Sequence, residues 1–332
     1  MGKRSVLSTG MVLLAACGGS SATNDMTIAA PPDLAMVATC TSDGQPVALA
    51  AHYGIQAKLN VNVKVPAGCT SDACLLDKDA KAGILLLADI TQNGTSATVS
   101  ARPCTIDIPP VALNGKPQPP PTQLTASDTL VQSVSAVMAT STLDGANTCA
   151  GLSSAPLAIV LGAHLKAPAT DPLPLFTASG VKLCDGMASS LCDQTSDFGC
   201  ICDQEEDGKP GATVGATGVP ALSDVDEVYL ALRTVFSMKG TVWPASAGQA
   251  TPGQRIKGTI ASLTLEQSPV GCHRSGNGGM DCDATTTTSV AGLNPQVTQS
   301  MNSDSIFVAM PVAEGTTCAQ LEAAAGALFA GQ

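Results

Sequence analysis

One fifteen-residue run, Cys200 to Val214 (CICDQEEDGKPGATV), holds two cysteines, four carboxylates, two glycines and a proline. Counted from Asp203 as the first position, Glu205 falls third, Asp207 fifth and Gly208 sixth. An oxygen ligand at every second residue, then a glycine that permits a sharp turn, wraps a short chain around a hard cation such as calcium. Lys209, seventh, would add its backbone carbonyl. Position twelve is Val214, where such a loop ordinarily carries a bidentate Glu. Further oxygens would have to come from Asp193 or Asp197 before the run, or from Asp224 to Glu227 (DVDE) after it. The competing reading is a solvated acidic turn pinned by disulfides at Cys200 and Cys202, with Pro210-Gly211 as its turn residues.

From Asp203 to Gly208 the run resembles the D-x-D-x-D-G loops of EF-hand-like and thrombospondin type 3 calcium repeats, with Glu205 standing where those have Asp. The resemblance implies a structural calcium held by Asp203, Glu205, Asp207 and Lys209, the one cofactor expected of this chain.

Enzyme signatures are sparse. His52, His164 and His273 lie far apart, and no H-E-x-x-H, haem, Walker or dinucleotide-glycine pattern occurs. His164, in an apolar run, reads as a packed or edge histidine, and His273 as a loop residue. The nearest approach to a nucleophile elbow is PASAG around Ser246, with Pro244 where the first glycine belongs. A polar loop between strands accounts for it better. The chain therefore reads as non-enzymatic; the alternative is a hydrolase whose groups meet only in the fold.

The N-terminus supplies an address. Lys3 and Arg4 precede an apolar stretch, Val6 to Ala16, too short to span a bilayer. The following LAAC, Leu14 to Cys17, and then Gly18, resemble the lipobox of bacterial lipoproteins. That resemblance implies cleavage before Cys17, acylation of its thiol and new amine, and a lipid anchor in the cell envelope. Several acyl chains on one residue satisfy the requirement for stable anchoring. In that family's sorting convention, Gly18 rather than Asp points to the outer membrane of a Gram-negative bacterium.

Thirteen cysteines divide into Cys17, taken by lipid, and twelve in an oxidising compartment, where the default is six disulfides. Short polar loops make Cys69 with Cys74 and Cys272 with Cys282 plausible local pairs. Zinc through Cys184, Cys192, Cys200 and Cys202 is the weaker reading, since Cys200-x-Cys202 lacks the usual gap. Without Lys3 and Arg4 the chain has 27 acidic and 14 basic residues, a net −13. Such a surface repels phosphate backbones and excludes nucleic acid as a partner. The expected partner is the bilayer; the sequence names no protein or small apolar ligand.

One Trp, two Tyr and five Phe leave the core to aliphatic residues. The chain divides into a signal peptide (1–16), a lipidated cysteine and tether (17–38), a first β-rich half (39–175) and a second (176–332). KLNVNVKV alternates strictly, with Leu59, Val61, Val63 and Val65 on one face. GILLLADI and TSATVSA read as a hairpin turning at Asn93-Gly94. NGKPQPPPTQ breaks the pattern with prolines, and LVQSVSAVM is ambiguous between helix and strand. DEVYLALRTVFSM, KGTVW, RIKGTIASLTLEQ and DSIFVAM are strands. In RIKGTIASLTLEQ the apolar phase slips between Ile260 and Leu263, as across a β-bulge. TTCAQLEAAAGALFA is a helix, with Thr317 and Gln320 as a capping box. The expected fold is mainly β: a disulfide-braced sandwich or barrel, its two halves candidates for related units, with a short C-terminal helix.

Overall fold

The computed structural model describes residues 39–64, 78–108, 123–177, 179–186, 190–218, 224–276, 279–291, 298–301 and 304–330. One compact unit runs from Cys40 to the C-terminus; of the unit before it, only Thr39 is described. Cys17 and the tether lie outside the described residues, as do Cys69, Cys74 and most of the proline-rich segment.

Strand β1 (Ala51–Lys64) pairs antiparallel with β2 (Lys78–Asn93), which turns into β3 (Ser96–Ile106). Asn93 pairs with Ser96, so the turn residues are Gly94 and Thr95, one place later than expected, and Gly94 takes φ +60°. A short strand β4 (Gln123–Ala126) leads into α1 (Asp128–Gln132), capped by the Ser127 hydroxyl. The ambiguous LVQSVSAVM is thus divided: Leu130 and Val131 are helical, while Val137 and Met138 open β5 (Val137–Leu143). Next come β6 (Gly151–Ser154) and β7 (Leu157–Leu161), followed by a disulfide-bonded excursion carrying β8 (Ala163–His164) and β9 (Cys200–Ile201). Strand β10 (Ala212–Thr217) leads to the long β11 (Val225–Trp243) and β12 (Arg255–Arg274). The remainder is β13 (Met280–Asp281), α2 (Ala284–Ala291), β14 (Thr298–Met301), β15 (Ile306–Pro311) and α3 (Cys318–Leu328).

These strands close a ring. In order, β1, β2, β3, β5, β6 with β7, β11, β12 and β15 each pair antiparallel with the next, and β15 returns to β1. The result is an eight-stranded up-and-down barrel, the architecture that leaves no open edge in the ring. Strands from both sides of residue 175 share that ring. Its interior is aliphatic: Ile55, Leu59 and Val61 of β1 meet Leu86 and Ile90 of β2, with Tyr53, Phe236 and Phe307 as the large fillers. The intervening positions, among them His52, Gln56, Lys58 and Asn60, face outward.

Closing so small a ring needs corners. Gly240 and Gly258 oppose each other on β11 and β12, and a Cβ on Gly258 would lie 2.1 Å from the Lys239 carbonyl oxygen. The bulge read from the sequence is present: Met238 pairs with Ile260 and Ser237 with Ser262, which leaves Ala261 unpaired and slips the apolar phase.

Two outer faces are covered. Helix α3 lays Leu321, Ala325 and Phe329 over Leu85, Leu87, Val308 and Met310, with its Thr317–Gln320 capping box formed and Cys318 bonded to Cys104. On the other side the excursion lays Ala163, Leu165, Leu173 and Ile201 over Tyr229, Ala231 and Val270. Strand β11 is therefore buried on both faces from Val228 to Thr234. Arg233, 5% exposed, fastens this cover by donating to the Glu266 carboxylate and to the carbonyls of Asp171 and Pro168.

Candidate functional site

The acidic run sits where the excursion rejoins the barrel. Cys200 and Cys202 are both disulfide-bonded, to Cys184 and Cys192, so the four cysteines weighed for zinc form two bridges. Cys272–Cys282 is bonded as its spacing implied, and Cys40–Cys149 brings the described disulfides to five. Backbone bonds from Gly211 to the Cys202 carbonyl (2.9 Å) and from Gln204 to the Gly211 carbonyl (3.1 Å) close the loop neck.

Asp203 is 3% exposed and turned inward. Its Oδ1 accepts the backbone N–H groups of Glu206 (2.9 Å) and Asp207 (3.3 Å), and its Oδ2 accepts that of Gly208 (2.8 Å). These bonds hold Glu206 in a left-handed backbone, φ +64°, unusual for a residue with a side chain. Asp207 accepts from the Lys209 N–H (2.8 Å) and the Thr213 hydroxyl (2.6 Å). The Lys209 side chain points away from the loop. Its Nζ pairs with Asp281 at 2.8 Å and lies 5.7 Å above the Tyr229 ring, while the Tyr229 hydroxyl donates to the same Asp281. Burial, then that hydrogen bond, raises the Tyr229 hydroxyl above the usual range and keeps it a donor.

Glu205 is the exception in the loop. Its Oε1 accepts the Thr213 N–H at 2.6 Å, but its Oε2 is buried without a hydrogen-bond partner. Burial pushes the carboxyl up to about 7; the Thr213 bond opposes this, and the charges of Asp207 and Asp203 add to it. The folded chain thus favours the neutral acid. Its contribution to stability is present in full below the ordinary value of 4.5 and is lost as pH rises through about 7. Glu205→Gln, an uncharged isostere, should flatten the melting temperature between pH 5 and 8 (about 1 kcal/mol gained at pH 8 after allowance for solvent screening). A mutant profile as steep as the wild type's would place the titrating group elsewhere.

Glu205 also lines a cleft of about 730 Å³ between the α1 turn, the outer face of β7 and the excursion. The cleft reaches from Ser133 and Val137 across Ala158 and Val160 to His164, Leu191, Asp193 and Glu206. Gln204 ties its sides together. Its Nε2 donates to the Ser133 carbonyl and hydroxyl (3.3 and 3.2 Å), and its Oε1 accepts the Gly162 N–H (3.1 Å). His164 Nδ1 donates to the Asp197 carbonyl, and its ring stacks on Phe198 at 4.6 Å.

The other histidines pair with carboxylates. His273 Nδ1 meets Asp226 Oδ1 at 2.9 Å. His52 Nδ1 meets Asp89 Oδ1 beside a hollow of about 240 Å³ that Ser100 also lines. The register places Asp89 opposite His52 and Ser100 on the far side of Asp89. The Ser100 Cα is therefore two strand spacings, roughly 10 Å, from the His52 Cα.

Among the described residues no three His, Cys, Asp or Glu side chains are arranged to hold a metal ion, and no helix is long and apolar enough to cross a membrane. Sequence reading missed Thr213, Asp281, Tyr229, Gln204 and Arg233. The strand pattern alone could have singled out Arg233, a charge inside an otherwise apolar run. No protein-family model matches the chain, and no curated protein is significantly similar to it.

Proposed function

We propose that this chain is a membrane-anchored, non-enzymatic envelope lipoprotein that presents a disulfide-braced β-barrel in a structural, adhesive or ligand-binding role. The observation that carries this reading is Leu14-Ala15-Ala16-Cys17, behind a basic pair and an apolar stretch. The barrel supports it in two ways. Five disulfides suit an oxidising compartment. Apolar side chains fill the barrel and polar ones such as Lys58 and Asn60 face outward, the reverse of a barrel that crosses lipid. Attachment then depends on Cys17 and its acyl chains, at the outer membrane by the residue that follows it. In a Gram-negative host, Cys17→Ser should abolish labelling by a fatty-acid probe and move the protein to the soluble fraction; labelling that persists overturns the proposal. The alternative, a lipid-anchored hydrolase, would rest on the His52–Asp89 pair and the hollow that Ser100 lines with it.

A structural calcium at Asp203, Glu205, Asp207 and the Lys209 carbonyl is a second reading, and one observation favours it. The buried Glu205 Oε2 needs either a proton or a cation. A bound ion would stabilise by mass action, more strongly as pH rises through about 7. The expected result is a calcium-dependent rise in melting temperature at pH 8 that Glu205→Gln removes. Identical melts in calcium and in chelator would leave the proton as Glu205's partner.

A further inference from the structure

Charge is unevenly placed along the barrel. Where β11 begins and β12 finishes lie Asp203 and Asp207 of the acidic loop, with Asp224, Asp226, Glu227 and Asp281. At the other end β11 finishes in the chain's single Trp, and the outward positions are basic: Lys239 beside Trp243 on β11, Arg255 and Lys257 on β12. Their neighbours Met238, Val242 and Ile256 are buried in the barrel, which fixes the facing. Lys257 lies opposite Thr241, diagonal to both Lys239 and Trp243, and its Nζ is 5.3 Å from the centre of the Trp243 ring. Arg255 lies opposite Trp243 and donates to the Pro244 carbonyl at 3.4 Å. The flanking strands β6 and β15 carry no Asp or Glu. Asp144, on the turn into β6, is engaged by the Gly151 N–H at 2.5 Å. Among the described residues neither Lys239 nor Lys257 is in an ion pair. Burial, then the charge of Arg255, holds the Lys257 ammonium below its ordinary value, the reverse of what a carboxylate neighbour does.

We propose that this end of the β11–β12 face rests on anionic phospholipid headgroups, with Lys239, Arg255 and Lys257 against phosphates and Trp243 at the interface. The proposal rests on the lipid-anchored reading above and adds an orientation to it. Cys40 is bonded to Cys149, whose N–H donates to the Val242 carbonyl at 2.7 Å, so the chain coming from Cys17 enters the barrel beside Trp243. An anchor limits how far the barrel strays; charge selects the face turned to the bilayer. An anionic surface attracts Lys and Arg within a Debye length and repels the carboxylates at the far end. Trp favours headgroup level, where its ring is in apolar surroundings and its N–H is wet. A protein partner fits less well. The large exposed apolar side chains among the described residues, Met138, Leu175, Phe198 and Met280, lie on other elements, so the patch lacks an apolar centre for such an interface.

As the single Trp, Trp243 is its own reporter. The purified acylated protein is reconstituted into phosphatidylcholine vesicles containing about a third phosphatidylglycerol, with and without a lipid bearing a nitroxide on its headgroup. The nitroxide should quench Trp243 emission. Quenching should fall about twofold or more without phosphatidylglycerol, and likewise in about 1 M salt, where the screening length is roughly 3 Å. Lys239→Gln with Lys257→Gln should reduce it as much, and a melt of that variant establishes that it is folded; the lipid and salt comparisons need no variant. Flotation of the same vesicles reports the anchor separately. Protein that floats while Trp243 stays unquenched overturns this proposal alone, and protein that does not float overturns the lipid-anchored reading with it. Equal quenching without phosphatidylglycerol, or undiminished quenching in the folded double variant, also overturns the proposal.

Discussion

Asp203→Ala is expected to lower stability by about 3 kcal/mol, since a carboxylate that organises three backbone donors is worth more than one ordinary hydrogen bond. In a body of this size the melting temperature should fall by roughly 6–12 °C. Without the carboxylate, the N–H groups of Glu206, Asp207 and Gly208 lose their common acceptor. Water can reach them, because all three residues are exposed, and this caps the cost. The left-handed backbone of Glu206 then has nothing to hold it. Asp203→Asn keeps one carbonyl oxygen and should recover about half of the loss. Chemical denaturation of the three proteins decides the point. Equal stability of Asp203→Ala and wild type would mean that the disulfides alone hold the loop.

This residue also marks where sequence reading succeeds and where it stops. Carboxylates at alternate positions before a glycine correctly indicate a tightly turned loop. They do not say whether oxygens converge on an ion or on the chain's own N–H groups, because both outcomes need the same turn. Local signals carried well. The Ile260–Leu263 phase slip is a bulge, Thr317 and Gln320 form their capping box, and Cys272 meets Cys282 across a separation of 10. Long-range pairing left no comparable trace: Cys104 and Cys318 are 214 residues apart, and β1 closes on β15 from opposite ends of the barrel. Strand β11 was legible as a strand, but its faces were not, for a physical reason. Val228, Leu230 and Leu232 face the barrel interior while Tyr229, Ala231 and Arg233 lie under the excursion, so both phases are buried and neither marks a solvent face. The cleft was equally hidden, since its walls come from four separate stretches between Thr129 and Glu206.

Gly162 is where those stretches cross, and Gly162→Ala should be the more damaging change, at about 4 kcal/mol. The glycine adopts φ +69°, which costs a residue with a Cβ about 1 kcal/mol by itself. The added methyl would lie 2.2 Å from the Leu230 carbonyl oxygen and 2.4 Å from the Ala212 nitrogen. Both are backbone atoms in the β10–β11 pair, where Ala212 sits opposite Leu230, so relief requires parting the two strands. Gly162 also donates to Gln204 and accepts from the Cys202 N–H at 3.2 Å, so the same shift would loosen the acidic loop and the cleft floor. Gly94→Ala separates the two contributions. Gly94 has φ +60° but nothing within 4 Å of an added Cβ, and it should lose only the conformational 1 kcal/mol or so. The expected gap between the two variants, about 3 kcal/mol, is the steric part. Denaturation midpoints of both proteins measure it, and a gap near zero would mean that β10 can leave β11 at little cost, so that the cleft has no rigid floor.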